Sequence, residues 1–200
     1  AQYHSYEVMN QHVSFLFTSL LTDDCIARGK ALLDGGVRYL GGTNETYGNI
    51  NTSDSLWVIR DLVFNQKKYT LRQLNDAMLA NFNGYEALRK DCLNCDKYGN
   101  DLETADTMAN DLYEFVAKGV RNRGIAIGMQ YFLIVISNNQ LNTEWGNRTA
   151  ASPDGRLSCM YMNPANNPQG GANKSGPTAM LNSLAKFDAK YHGCLLYTSD

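Results

Sequence analysis

Apolar residues recur at helical intervals through the first third of the chain. From Tyr6 to Leu21 they occupy most sides of the predicted helix, which indicates that it is largely buried. A second helix is predicted after Thr22, which can cap it, and it should end after Leu33, where two glycines follow. The segment from Gly35 to Asn51 contains five glycines, so we expect an irregular loop there.

Four further helices are predicted between residues 53 and 120. The first begins at Ser53 or Asp54. Its expected buried face consists of Leu56, Ile59, Leu62 and Val63, widened by Trp57 and Phe64. Residues 70–73 (Thr-Leu-Arg-Gln) form a capping-box pattern, which predicts a helix to about residue 82. A short helix over residues 85–92 and a long one over residues 102–120 follow, separated by a turn at residues 97–101.

The pattern changes at Met129. Residues 130–136 (Gln-Tyr-Phe-Leu-Ile-Val-Ile) contain a continuous apolar and aromatic run from residue 131, rich in β-branched side chains, which predicts a strand buried on both faces. Helices around a buried strand indicate an α/β fold in which parallel pairing is expected. From Ser137 to Gly176 the chain is dominated by Asn, Gly, Ser and Pro, which is typical of a long functional loop, and residues 152–156 (Ser-Pro-Asp-Gly-Arg) are its sharpest turn signal.

Composition and charge narrow the class of partner. The chain has 18 basic and 20 acidic residues and no basic block, which argues against nucleic-acid binding and favours a small molecule or a protein. The apolar run at residues 131–136 is too short to span a bilayer, and no signal-peptide pattern opens the chain. We therefore expect a cytoplasmic protein that has no membrane partner.

The five cysteines are odd in number and unevenly spaced, in a chain too large to depend on disulfides, so reduced thiols are expected. Cys92 and Cys95 form a lone C-x-x-C motif, which could be a redox pair or half of a zinc site. No second pair and no nearby histidine completes four ligands. Two incidental thiols near a helix end are the favoured interpretation, and no metal site is expected.

General catalytic motifs are missing from the sequence. It contains no Gly-x-Ser-x-Gly, P-loop, His-Glu-x-x-His or Gly-x-Gly-x-x-Gly pattern, which disfavours the common hydrolase and nucleotide-binding classes. The three histidines, His4, His12 and His192, are expected to have structural or surface roles rather than to bind a metal.

A set of specific strings stands in a fixed order along the chain. They are Cys25–Gly29, Gly35–Tyr39, Asp54–Leu56, Leu62–Phe64, Asn81–Gly84, Lys97–Asp101, Ser152–Arg156, Gly176–Ala179 and Asn182–Lys186. In this order and spacing they resemble the C-terminal half of the domain shared by glycyl-radical enzymes of the pyruvate formate-lyase family. The resemblance covers about residues 16–188. It assigns residues 1–193 to an incomplete domain of that type.

The resemblance implies a closed α/β barrel, of which this chain would be a part truncated at both ends. In such enzymes an activating radical-SAM enzyme installs a radical on a glycine, and a cysteine then carries the thiyl radical that attacks the substrate. Both loops are expected outside this chain, and Gly193-Cys194 lies on the wrong side to supply the cysteine. No catalytic residue and no bound cofactor is therefore expected here. A homodimer is one assembly that the resemblance allows.

Substrate contacts are the local function that the resemblance leaves to this chain. Residues 131–137 and the turn around Arg156 would approach the barrel interior, so Tyr131, Phe132, Ser137 and Arg156 are candidates. Their ordinary alternatives are core packing for the aromatic residues and a structural ion pair or hydrogen bonds for the arginine. Residues 137–139 (Ser-Asn-Asn) depart from the Ser-His pair of many members, which leaves the substrate open.

Three functions remain open at this point. The parent would cleave C–C or C–O bonds of a small metabolite, either as a formate acetyltransferase or as a diol dehydratase, to which residues 176–179 are more similar. The chain could instead be a noncatalytic binding or scaffold module. Residues 194–200 back-translate to a sequence that resembles a transposon-type sequencing adapter, so we expect the native sequence to end at about residue 193.

Overall fold

The computed structural model of the chain describes residues 1–13, 15–129, 131–135, 139–188 and 190, and for residues 131–135, 139 and 140 it describes the backbone alone. Some of the sequence-based expectations fall outside this part of the chain. They concern Ser137, the ends of the predicted strand at Gln130 and Ile136, His192, and residues 194–200 including Cys194.

Helices form most of the described structure. They are α1 (Gln2–His12), α2 (Leu16–Leu21), α3 (Cys25–Arg28), α4 (Asn49–Val58), α5 (Leu71–Leu79), α6 (Glu86–Asn94), α7 (Glu103–Ala126), α8 (Asn139–Asn147) and α9 (Gly176–Ala185). A short 3-10 helix spans Leu32–Asp34, and a π-helix, Ile59–Asn65, continues α4. Two strands, β1 (Gly41–Glu45) and β2 (Tyr131–Val135), pair in a two-stranded sheet. No helix in the described part of the chain is both long and apolar enough to cross a membrane.

The chain divides into two compact units. The first contains residues 1–44 and 117–134, and the second contains residues 45–116 and those from 135 onward. The barrel that the resemblance implies would need more strands than the single pair in the described residues. The α/β class is thus represented here by helices and one strand pair.

The first unit differs from its prediction. Instead of one buried helix over residues 6–21, α1 and α2 are separate helices, and Phe15 has a left-handed backbone at the start of α2. Leu16, Phe17 and Leu21 are 66%, 74% and 73% exposed, so the expected burial is wrong. Their spacing is helical, but no described segment covers them. The helix predicted over residues 22–33 is interrupted at Gly29, whose φ of 62° ends α3 after one turn.

The strand pair contains one confirmed and one wrong prediction. β2 lies within the predicted residues 130–136 and confirms the strand. β1 lies in the glycine-rich segment that was expected to be irregular. Gly, Thr, Asn and Glu are not all good strand formers, and pairing with β2 decides their conformation. The expected parallel pairing stays a prediction.

The apolar core of the second unit lies between the π-helix, α5 and α6. Its fully buried members are Val58, Leu62, Leu74, Ala77, Phe82, Leu88 and Cys92. The capping box is confirmed: Thr70 Oγ1 accepts a hydrogen bond from Gln73 N at 3.2 Å, and Thr70 N donates to Gln73 Oε1 at 2.9 Å. The helices α5, α6 and α7 each overlap their predicted spans, and α7 continues to Ala126.

The predicted apolar face of this helix is confirmed in part. Leu62 is buried in the core and Ile59 and Val63 pack against it, but Leu56 is 41% exposed. The helix also begins at Asn49, before the predicted Ser53 or Asp54. Phe64 is 60% exposed, so its predicted burial is wrong, and it lies in the π-helix, as the hydrogen bond from Gln66 N to Asp61 O at 2.8 Å illustrates. The buried face of α4 itself is polar and is described below.

The long irregular segment is confirmed from residue 148 to 175 and wrong at residues 139–147, where α8 forms. The predicted turn is present, with Gly155 N donating to Ser152 O at 3.0 Å and Ser152 N donating to Arg156 O at 3.0 Å. This segment supplies most of the polar groups of the site.

Candidate functional site

One face of α4 buries polar side chains. Asn51, Asp54 and Ser55 are 4%, 1% and 7% exposed, and Val58 continues the same face one turn later. Residues at intervals of three and four lie on one side of a helix, so these four positions form a single stripe. Because a buried polar group is costly without a hydrogen bond, such a face needs a polar partner.

The turn at residues 152–156 is that partner. Asn51 Nδ2 donates to Asp154 Oδ2 at 2.7 Å, and Asp154 N donates to Ser55 Oγ at 3.2 Å. Ser152 Oγ donates to the other carboxylate oxygen, Asp154 Oδ1, at 2.6 Å. Asp154 is only 4% exposed, so its charge is held inside the protein by directed hydrogen bonds.

Two asparagines extend the contact toward the next part of the loop. Asn51 N donates to Asn163 Oδ1 at 3.2 Å, and Asn163 N donates to Asn51 Oδ1 at 2.8 Å. Asn163 Nδ2 then donates to Ala165 O at 2.7 Å. Each asparagine thus satisfies the backbone of the other, which fixes the loop on α4.

Arg156 is buried in the loop itself. Its Nη1 donates to Leu157 O and Met160 O, at 3.2 Å and 2.8 Å. Its Nη2 donates to Ala150 O, and its Nε donates to Ser152 Oγ. Burial lowers the pKa of the Arg156 guanidinium, and the neighbouring Asp154 opposes that effect. The side chain therefore organises the loop, and it also lines the pocket described below.

Asp54 lies deepest in the polar face. Its Oδ1 accepts a hydrogen bond from Tyr98 N at 3.0 Å, while its Oδ2 has no partner among the described residues. Burial raises the pKa of Asp54 to about 7, against the opposing effects of the Tyr98 hydrogen bond and the Lys97 charge. Burial therefore favours the protonated form of this carboxyl far more than water does.

Lys97 brings a cation to the same place. Its ammonium is buried and donates to Cys92 O at 2.5 Å and to Cys95 O at 3.4 Å. These carbonyls lie at the C-terminal end of α6, where the helix dipole favours a positive charge.

These groups surround a pocket of about 380 Å³ in the second unit. Its lining residues are Asp54, Arg89, Lys90, Leu93, Asn94, Lys97, Asp154, Gly155, Arg156, Met160, Gln169, Gly170, Gly171, Ala172 and Lys174. Gly155 shapes one wall: its φ is 95°, and a Cβ there would lie 2.7 Å from Leu93 Cδ2. The volume is within the range of small-molecule sites.

The C-x-x-C motif borders this region without joining its chemistry. Burial raises the pKa of the Cys92 thiol to about 12 and that of the Cys95 thiol to about 11. Both thiols are therefore protonated at neutral pH and are poor nucleophiles. The described residues contain no group of three metal-binding side chains.

The candidate substrate contacts are distributed over both units. Tyr131 and Phe132 belong to β2 in the first unit, and only their backbone is described. Arg156 belongs to the second unit, and Ser137 lies outside the described residues. The structure gives contacts for Arg156 alone.

Sequence reasoning did not select Asp54 and Asp154, which line the pocket, or Asn51, which holds Asp154, as candidate site residues. A usable signal was present: in residues 49–55 Asn, Ser and Asp replace the apolar residues that a buried helix face normally carries. Polar residues at helical spacing usually indicate a face exposed to solvent. Their burial can be inferred only if the turn at residues 152–156 is known to pack against them.

Comparisons with known proteins agree with the family that the sequence resembles. A family model described as pyruvate formate lyase-like matches residues 1–141. Trans-4-hydroxy-L-proline dehydratase from Clostridioides difficile is 34% identical over 188 residues, which are 93% of this chain and 24% of that protein. Isethionate sulfite-lyase from Bilophila wadsworthia is 31% identical over 187 residues, which are 92% of this chain and 21% of that protein.

A solved structure gives the same result. The glycerol-bound, B12-independent glycerol dehydratase from Clostridium butyricum is 30% identical with a TM-score of 0.86, over 92% of this chain and 23% of that one. The chain thus spans about a quarter of the length of these relatives. Since the family model matches more than half of the chain, and a relative above 30% identity covers nearly all of it, the chain belongs to the pyruvate formate lyase-like family of glycyl-radical enzymes.

Proposed function

We propose that this chain is part of a glycyl-radical enzyme that dehydrates a small hydroxylated metabolite. The observation that carries the proposal is the similarity to two dehydratases, one in sequence and one in structure, across more than nine-tenths of the chain. Formate acetyltransferase chemistry has no such support among the relatives described above, and it becomes an outcome of the test.

The chain's own contribution would be scaffold and substrate positioning. Both radical residues are expected in other parts of the parent, where a radical-SAM activating enzyme would install the glycyl radical. Tyr131, Phe132, Ser137 and Arg156 stay proposed substrate contacts. For Arg156, its four protein acceptors support a further role, in which it holds the loop that forms one wall of the pocket.

The test uses the full-length parent together with its activating enzyme under anaerobic conditions. Electron paramagnetic resonance should detect a glycyl radical after activation. The activated protein should then convert at least one of trans-4-hydroxy-L-proline, glycerol or 1,2-propanediol with loss of water, measured by mass spectrometry of the product.

Three outcomes would contradict the proposal. Formate production from pyruvate and coenzyme A, without any dehydration, would identify an acetyltransferase. A parent that acquires no radical would favour the noncatalytic module. Release of sulfite from isethionate, without any dehydration, would identify a sulfite-lyase instead.

A further inference from the structure

The pocket of the second unit carries charged groups whose hydrogen-bond donors the loop framework leaves wholly or partly unused. Five cationic and two acidic side chains line it, so its lining is cationic in sum. The guanidinium of Arg156 and the ammonium of Lys97 are occupied by the hydrogen bonds described above. The other three cations are Arg89, Lys90 and Lys174.

These three cations have donors to spare. Arg89 Nε donates to Gly155 O at 3.0 Å, which holds its side chain beside the turn and leaves its two terminal nitrogens without a partner among the described residues. The ammonium groups of Lys90 and Lys174 have no hydrogen bond or ion pair in that same part of the chain, and both residues are exposed. Three cations at one opening attract an anion.

The inner wall of the pocket carries an acidic group that needs a hydrogen-bond partner. Asp54 is 1% exposed, lines the pocket, and has one carboxyl oxygen, Oδ2, without a partner among the described residues. A buried polar atom of this kind is seldom left unsatisfied in a folded protein. A ligand hydroxyl would satisfy it in either protonation state, because a hydroxyl both donates and accepts a hydrogen bond.

We infer that this pocket binds a small organic anion that also carries a hydroxyl group, with its anionic end at Arg89, Lys90 and Lys174 and its hydroxyl at Asp54. An ammonium ligand would suit Asp54 but not the cationic opening. A bare inorganic anion would suit the opening but leave Asp54 unsatisfied. The inference concerns binding alone and does not depend on the proposed dehydratase activity.

The probes separate the two ends of the site. Glycerol 3-phosphate and D-glycerate each carry an anion and hydroxyl groups, and they distinguish a phosphate from a carboxylate as the preferred anion. Inorganic phosphate lacks the hydroxyl, and glycerol lacks the anion. Isothermal titration calorimetry on the 200-residue chain should give saturable binding of at least one complete probe, at least ten-fold tighter than either half.

Variants then locate the binding. Lys90→Met/Lys174→Met should weaken the complete probe at least ten-fold, because both ammonium groups face the anion. Lys67→Met/Arg72→Met changes the net charge equally at two exposed positions of the same unit that do not line the pocket. This control should leave the dissociation constant within two-fold.

Asp54→Ala tests the hydroxyl end, because it removes both carboxyl oxygens and leaves the ligand hydroxyl without a partner there. It should weaken glycerol 3-phosphate or D-glycerate several-fold and leave inorganic phosphate unchanged. Asp54→Asn should keep most of the affinity, because the amide can still hydrogen-bond to a hydroxyl. Thermal unfolding followed by tryptophan fluorescence checks that each variant is folded, and the lysine pair, being exposed, provides the test if Asp54→Ala does not fold.

Three results would overturn the inference. They are the absence of saturable binding of both complete probes, an equal loss of affinity in the charge-matched control, or equal affinity for inorganic phosphate and for the complete probes. The last two would indicate general attraction of anions to a cationic surface. Binding can also succeed while the parent fails to dehydrate any substrate, which keeps the two proposals separable.

Discussion

Replacing Asp54 with asparagine should make the chain more stable at high pH and leave it nearly unchanged at low pH. The folded protein raises the pKa of this carboxyl from 3.8 to about 7, chiefly by burial. A carboxyl whose pKa is higher in the folded than in the unfolded state makes its full contribution to stability at low pH, where it is protonated in both states. That contribution is lost as the pH rises from about 4 to about 7, because the unfolded chain ionises first.

The magnitude follows from the size of the shift. One unit of pKa difference corresponds to about 1.4 kcal/mol, so a rise from 3.8 to about 7 corresponds to at most about 4 kcal/mol. The charges of Lys97, Asp154 and Asp106 all act on this carboxyl: Lys97 lowers its pKa, and the two aspartates raise it. We expect Asp54→Asn to raise the free energy of unfolding by roughly 2–4 kcal/mol at pH 8 relative to wild type.

The assay is urea unfolding of both proteins between pH 4 and pH 8, followed by tryptophan fluorescence. The difference in the free energy of unfolding between variant and wild type should grow with pH and level off above about pH 7. Asp76→Asn, at an exposed position on α5, controls for the removal of one carboxylate. A difference that does not vary with pH, or that matches the control, would refute the reasoning about Asp54.

The remaining predictions concern single contacts in the second unit, each measured by urea unfolding at pH 7. Lys186→Met should cost about 3 kcal/mol, because it removes the ammonium that lies 2.7 Å from the buried Asp106 carboxylate, whereas Lys186→Arg should recover part of the loss. Gly155→Ala should cost about 1–3 kcal/mol, since φ is 95° there and a Cβ would press on the opposite wall. Thr70→Ala should cost about 1 kcal/mol through loss of the capping box, while Thr70→Ser should be close to neutral. A loss below 0.5 kcal/mol in any of the three would contradict the contact assigned to it.

Local signals account for the parts of the fold that the sequence predicts. The capping box at Thr70 involves two residues of one helical turn, so the sequence contains all that is needed to predict it. The same holds for β2, whose continuous run of β-branched and aromatic residues distinguishes it from its helical surroundings.

Periodicity fails where burial depends on a distant partner. The spacing of Leu16, Phe17 and Leu21 is helical, but spacing does not reveal whether another segment covers that face. The polar face of α4 is the opposite case. Asn51 is buried only because Asp154 and Asn163, more than 100 residues later, supply its hydrogen bonds.

The candidate site was predictable in part for the same reason. The turn at residues 152–156 was recognised from its own composition, and Arg156 was correctly placed in it. The pairing of that turn with α4 was not recognised, because Asn, Ser and Asp in a helix ordinarily indicate solvent exposure. The substrate contacts proposed in and beside β2 rest on the family resemblance and await the activity test.

The polar character of the face between α4 and the loop also affects how this region folds. Asn51 must meet partners 103 to 118 residues away, so α5 and α6 can form long before this contact closes. While the loop is undocked, the face exposes hydroxyl, amide and carboxyl groups that water can solvate, instead of an apolar patch that would promote aggregation. Late docking of the loop onto α4, or its transient release, therefore exposes no apolar surface of the kind that promotes aggregation.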